Sequence, residues 1–223
     1  MNFLSHYYFD RETTNCYHTL GTVLPDLLKN ANKNINLHPE KLTHPDPEIS
    51  DIILGWKKHL EVDRYFHTSQ FFITRSSELR QLLEPAIKGS PVKSFFLGHI
   101  TLELILDNLL LTTHKVSADD FYDHLISCDL ETIEQFLHFS GLQNTDEFFR
   151  FYENFIRSRY LQTYTDTQQI AYALRRICMR VWHDPFNTEQ EGRMNAIISA
   201  YRDGLYNSFI TIFDLIEYKL NHH

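Results

Sequence analysis

The chain has 223 residues, 43% of them hydrophobic, which is enough for a sizeable core. A formal net charge of −8 argues against a broad nucleic-acid or anionic-membrane surface, while leaving room for a local basic patch. Seven Gly and seven Pro are few for this length and favour long helices over strands and turns. Cys16, Cys128 and Cys178 are odd in number, widely spaced and without a CxxC, which points to a reducing compartment and away from a zinc cluster.

Met1–Phe9, with Phe3, Leu4, Tyr7 and Tyr8, predicts a short helix packed into a core, and His6 sits among these aromatics. The opening MNFLSHYYFD lacks a basic n-region and a long apolar run, so it does not read as a signal peptide. Thr14–Lys29 predicts a second helix in which Pro25 breaks or kinks the ladder and turns Asp26 out of register. Asn30–Pro47 is polar and Pro-rich and predicts an exposed loop carrying solvated His38 and His44. Pro47 lies near the start of a long helix holding GWKKHLEVDRYFH (Gly55–His67).

Ser69–Leu83 predicts another helix with Phe71, Phe72, Leu79 and Leu82 inward. Ser90–Pro91 reads as an N-cap and first-turn pair for the apolar helix ending at Leu111. Ser117 and Asp120 open an amphipathic helix to about His138, and Thr145 opens one with Phe148, Phe149, Tyr152 and Phe155 at core spacing. Thr165 with Gln168, and Thr188 with Glu191, fit capping boxes for helices Gln168–Trp182 and Glu189–Leu220. The expectation is an all-α, single-domain bundle of about seven to nine helices over 1–223. No apolar run of membrane-spanning length is evident.

Two helical stretches carry the chemistry. His59, Asp63 and His67 recur every four residues, as do His99, Glu103 and Asp107. Each four-residue step advances about 40°, so each triplet falls on one helix face within roughly 80°. Imidazoles and carboxylates inside apolar sequence are costly to bury unless something pairs with them. A metal centre between the two helices would satisfy all six, and such mixed ligands suit zinc, manganese or iron. The plainer alternative is a helix-surface His–Asp pair, or a buried hydrogen-bond network in a non-catalytic binding protein. His183–Asp184, the only literal His-Asp dipeptide, precedes Pro185 and reads as a cap. Arg175, Arg176 and Arg180 cluster on one predicted helix, with Lys57, Lys58 and Arg64 beside the first triplet. Arg176 and Arg180, at i and i+4, are candidates for holding a substrate phosphate, the bland reading being a solvated helix face.

MNFLSH, LGTVLPDLLK (Leu20–Lys29), the G-x3-H-x3-D of Gly55–Asp63 and the His99–Asp107 helix stand in the order seen in acyl carrier protein phosphodiesterases. The chain resembles that family over about its first half, and more loosely through LRRICMR (Leu174–Arg180). It departs from the family at Leu60, where an Arg is usual, at His67, where an acid is usual, and at Glu103, where an Asp is usual. The resemblance implies an HD-domain-like, all-helical metallophosphohydrolase that releases 4′-phosphopantetheine from holo carrier protein in the cytoplasm. It implies a divalent metal, manganese first and zinc or iron next, held by His6, Asp26, His59, Asp63, His67, His99, Glu103 and Asp107. Asp26, Asp63 and Glu103 are then the candidates for proton transfer, and an acyl carrier protein or other phosphodiester is the expected partner. The early His, the Pro-Asp turn and the late FLGH…D helix are also similar to zinc-dependent phospholipases C and nucleases. Both resemblances imply phosphodiester hydrolysis.

Overall fold

The computed structural model describes residues 1–222, and every regular element among them is helical. In chain order the α-helices are α1 (Phe3–Tyr7), α2 (Cys16–Ala31), α3 (Pro47–His67), α4 (Gln70–Ala86), α5 (Ser94–Thr112) and α6 (Ala118–Ile126). They continue with α7 (Leu130–Phe139), α8 (Asp146–Ser158), α9 (Thr167–Cys178), α10 (Thr188–Leu205) and α11 (Ile210–Asn221). The all-α expectation holds, and the helices exceed the expected number because two predicted runs each divide. Ser117 does cap α6, accepting from the Asp120 N–H, but Asp129 offers a second N-cap that accepts from Thr132 and starts α7. The last run breaks after Leu205, where Ser208 N–H turns back to the Leu205 carbonyl before α11 begins.

Several helix starts also move. Ser90 does not cap α5; its hydroxyl donates to the Pro185 carbonyl, and Lys93 is the N-cap. Asp166, not Thr165, caps α9 by accepting from Gln168 N–H. The capping box of α10 is Asn187 with Gln190, one residue before the predicted pair. A nearby Lys, Asp or Asn takes the cap position instead, three residues on for α5 and one residue away for α9 and α10, a choice that cap spacing alone leaves open. Leu82 is 49% exposed and not inward, and His44 is half-buried with its ring edge-on to Phe139 at 4.7 Å.

Backbone packing divides the chain into two compact units, one of Met1–Asp63 with Val116–Gln162, the other of Arg64–Lys115 with the residues from Thr163 onward. In the first unit α2 packs on α1, α6 and α8. Aromatic contacts bind these helices together, among them Phe3–Phe155 at 5.1 Å and Tyr7–Phe121 at 5.3 Å. Two glycines set the approach of α2 to α3. A Cβ on Gly21 would lie 2.2 Å from the Ile52 carbonyl oxygen, and one on Gly55 would lie 2.1 Å from that of His18.

In the second unit α4 lies along α5, α9 packs on α5 and α10, and α10 also touches α4. Here Gly98 plays the same part, since a Cβ there would lie 2.6 Å from the Ser76 carbonyl oxygen. α5 is the one helix among the described residues long and apolar enough to cross a membrane by length and composition. Its run from Leu102 to Leu111 is nonetheless buried in this core, which accounts for the apolar sequence.

Candidate metal centres

In the first unit His6 from α1 meets His59 and Asp63 from α3, with one donor atom from each residue within 4.8 Å of the others. The imidazoles of His6 and His59 stack with centroids 4.0 Å apart. His59 Nδ1 lies 2.9 Å from the Thr22 carbonyl oxygen, which can only accept, so Nδ1 carries the proton. That leaves Nε2 on the side of Asp63, 3.8 Å from Oδ2. His6 is fully buried, and its Nε2 is 3.4 Å from Asp63 Oδ1, an ion-pair distance that falls short of a hydrogen bond. Among the described residues neither ring nitrogen of His6 has a hydrogen-bond partner. Burial, reinforced by the neighbouring His59, lowers the His6 pKa to about 4, so the ring is neutral at pH 7 with a lone pair to offer. Burial pushes the Asp63 carboxyl up, but His6 and the Met1 amino group, whose nitrogen is 2.6 Å from Oδ1, hold it well below the ordinary carboxylate range.

A buried polar network supports this group from the side. Asp10 Oδ1 accepts from Lys58 Nζ at 2.6 Å and lies 3.2 Å from His18 Nδ1, while Oδ2 accepts from the Thr22 hydroxyl at 2.6 Å. Lys58 also donates to the Phe9 carbonyl at 2.7 Å. Burial alone would raise the Asp10 pKa; the His18 hydrogen bond and the Lys58 charge outweigh it and lower the pKa. Lys58 is thereby committed inward, to Asp10 and the Phe9 carbonyl. No spacing signal links Asp10 to Lys58, which is why the sequence did not single Asp10 out.

The second unit holds a tighter triangle. His99 Nε2 is 2.9 Å from Glu103 Oε1, His67 Nε2 is 3.2 Å from His99 Nε2, and His67 Nε2 is 3.4 Å from Glu103 Oε1. Ligand atoms about 2.1 Å from a metal lie about 3.0 Å apart at right angles and about 3.4 Å apart at tetrahedral angles. The observed edges span that range. Phe72 presents its ring edge-on to both imidazoles, at 4.9 Å from each. Burial pushes Glu103 up, but the His99 hydrogen bond and the neighbouring His67 contribute to holding it well below the ordinary range. Its carboxylate is therefore charged at pH 7. About a third of each His side chain stays exposed, so this group is open to solvent.

The structure thus brings together six of the eight expected ligands, regrouped relative to the helical triplets. Eight residues of helix rise about 12 Å, so residues eight apart on one face stand too far apart for a single ion. His67 accordingly joins His99 and Glu103, while His6 completes the group of His59 and Asp63. Asp26, half-buried on α2, and Asp107, fully buried on α5, lie outside both groups. Arg176 and Arg180 are exposed in the second unit. Arg180 follows the end of α9, where its N–H bonds the Ile177 carbonyl in a turn, so the expected i, i+4 helical pair is not continued. Arg175 pairs with Glu191 at 3.1 Å. His183 and Asp184 are exposed and pair with each other at 2.9 Å, apart from both groups.

Both donor sets, two imidazoles and one carboxylate each, are the chemistry that borderline divalent metals accept. A buried imidazole without a hydrogen-bond partner is also what such an ion would satisfy. No family model matches the chain, and no curated protein and no solved structure matches it.

Proposed function

We propose that the protein is a metal-dependent phosphodiester hydrolase, with holo acyl carrier protein as the substrate that its sequence resemblance favours. The observation that carries the reading is the pairing of two imidazoles with a carboxylate in each of two groups, His6–His59–Asp63 and His67–His99–Glu103. A divalent metal held there, manganese first and zinc or iron next, supplies Lewis acidity toward a phosphoryl oxygen and eases deprotonation of water. The chain's own contribution is to present neutral imidazoles and ionised carboxylates at pH 7. Burial keeps His6 neutral, and the pairing of Asp63 and Glu103 with histidine keeps both charged. Asp63 and Glu103 are also candidates to accept and return a proton, a task open to whichever carboxylate the metal leaves unliganded. Asp26 keeps its place as a further proton-transfer candidate on α2, and Arg176 and Arg180 as exposed cations for the substrate phosphate or an acidic partner.

The reading is tested by purifying the protein without chelator, measuring bound metal, and assaying bis(4-nitrophenyl) phosphate and holo carrier protein. Metal with cleavage of both is expected. Cleavage of the small ester alone would remove the carrier-protein substrate and leave a smaller phosphodiester, as the phospholipase C and nuclease resemblance suggests. Absence of metal and of cleavage would leave the two groups as hydrogen-bond networks of a binding protein.

A further inference from the structure

We propose that Asp10 is a positioning residue for His59, acting through Thr22 and Lys58 to hold the imidazole in the tautomer that turns its Nε2 lone pair toward Asp63. The consequence for metal rests on the hydrolase reading above; the geometry does not.

His59 keeps its proton on Nδ1 only while the Thr22 carbonyl stays 2.9 Å away. Thr22 is on α2 and His59 on α3, so that contact depends on the register of two helices. Asp10 fastens the register on both sides at this level. Its Oδ2 takes the hydroxyl of Thr22 itself, and its Oδ1 takes the ammonium of Lys58, the residue before His59. Lys58 also grips the Phe9 carbonyl, which ties down the segment that follows α1 and its His6. One carboxylate, 4% exposed, therefore binds the three chain segments that deliver His6, the Thr22 carbonyl and His59. A carboxylate serving stability alone has no need to meet the two helices at the neighbours of one histidine. Outer partners that fix a ligand imidazole are worth about 10–100-fold in metal affinity.

The experiment uses the full chain, labelled with ¹⁵N-histidine and stripped with chelator, near pH 7. Two-bond ¹H–¹⁵N spectra read the tautomer of each imidazole, and the His59 signals are assigned by their loss in His59→Gln. The intact protein is expected to show His59 with its proton on Nδ1. Asp10→Asn and Thr22→Val are each expected to give a mixture of tautomers and to weaken Mn²⁺ binding about 10–100-fold. Thr22→Val is nearly isosteric and leaves the Asp10–Lys58 pair in place, so it carries the test if Asp10→Asn does not fold. A single unchanged tautomer in Thr22→Val, with Mn²⁺ affinity within about twofold of the intact protein, would overturn the proposal. So would an intact protein with His59 protonated on Nε2. If the intact protein binds no Mn²⁺, the metal reading falls and the tautomer comparison alone decides the role of Asp10.

Discussion

Gly21 on α2 and Gly55 on α3 stand so close that a Cβ on Gly55 would lie 2.9 Å from the Gly21 Cα. The contact holds the backbone near Thr22 against the turn of α3 that leads to His59. Alanine at either position would meet backbone atoms, which cannot swing aside as a side chain can. Gly21→Ala and Gly55→Ala are expected to destabilise by about 1–3 kcal/mol or more, read as a lower urea midpoint. A Cβ on Gly192 of α10 would meet no neighbour within 4 Å among the described residues, so Gly192→Ala is expected to be neutral or to stabilise by roughly 0.5–1 kcal/mol. Equal behaviour of the three variants would mean that close approach is not what the two glycines are for.

Metal content is expected to separate the ligand groups from the rest of the helical triplets. His59→Ala and His99→Ala each remove one imidazole from a different group, so each is expected to lower bound Mn²⁺ and to shrink the rise in Tm that the metal gives. A ligand at about 100 times its Kd stabilises the folded state by about 2.7 kcal/mol. Asp107 is outside both groups, so Asp107→Asn is expected to keep its metal even where it lowers Tm. Elemental analysis after gel filtration checks all three, and loss of metal in Asp107→Asn would place that carboxylate among the ligands.

His6 couples stability to pH. Its pKa is lowered from 6.5 to about 4 by burial and then by His59, so the unfolded chain takes up the proton first as pH falls. Stability from this group is fully present above pH 6.5 and is lost progressively down to about pH 4. The full effect is on the order of 3 kcal/mol. Asp63, held well below the ordinary range, keeps its charge through this window. Urea midpoints of chelated protein at pH 7 and pH 5 are expected to differ more for the intact chain than for His6→Gln. An unchanged difference would assign the slope to other groups.

Arg176 lies exposed on α9, so Arg176→Glu is expected to leave thermal stability within about 0.5 kcal/mol. If an acidic carrier protein docks through this cation, the variant raises KM for holo carrier protein while kcat holds, because the contact acts on binding and not on the bond being broken. Cleavage of a small uncharged-tail phosphodiester is expected to stay unchanged. A fall in kcat on both substrates would move Arg176 into the reacting site.

The sequence by itself determined the class of structure and most of the chemistry-bearing residues. Few Gly and Pro, apolar residues at helical spacing, and Ser or Thr near the start of several runs lead to helices, because capping and periodicity are local properties. Pro47 opening α3 and Ser117 capping α6 follow from that logic directly. His59, Asp63, His99 and Glu103 were legible for the same reason: polar groups that repeat every four residues in apolar sequence need partners. Tertiary structure decided which partners they have. Angular alignment on a helix says nothing of height, and the rise of about 12 Å over eight residues separates His67 from His59. What lies beside each histidine depends on how closely helices cross, and Gly21, Gly55 and Gly98 allow backbones to approach where any side chain would hold them apart. Asp10 is the clearest case, since its partners Thr22 and Lys58 are 12 and 48 residues away. No local pattern encodes such a contact; it exists only once α2 and α3 have crossed.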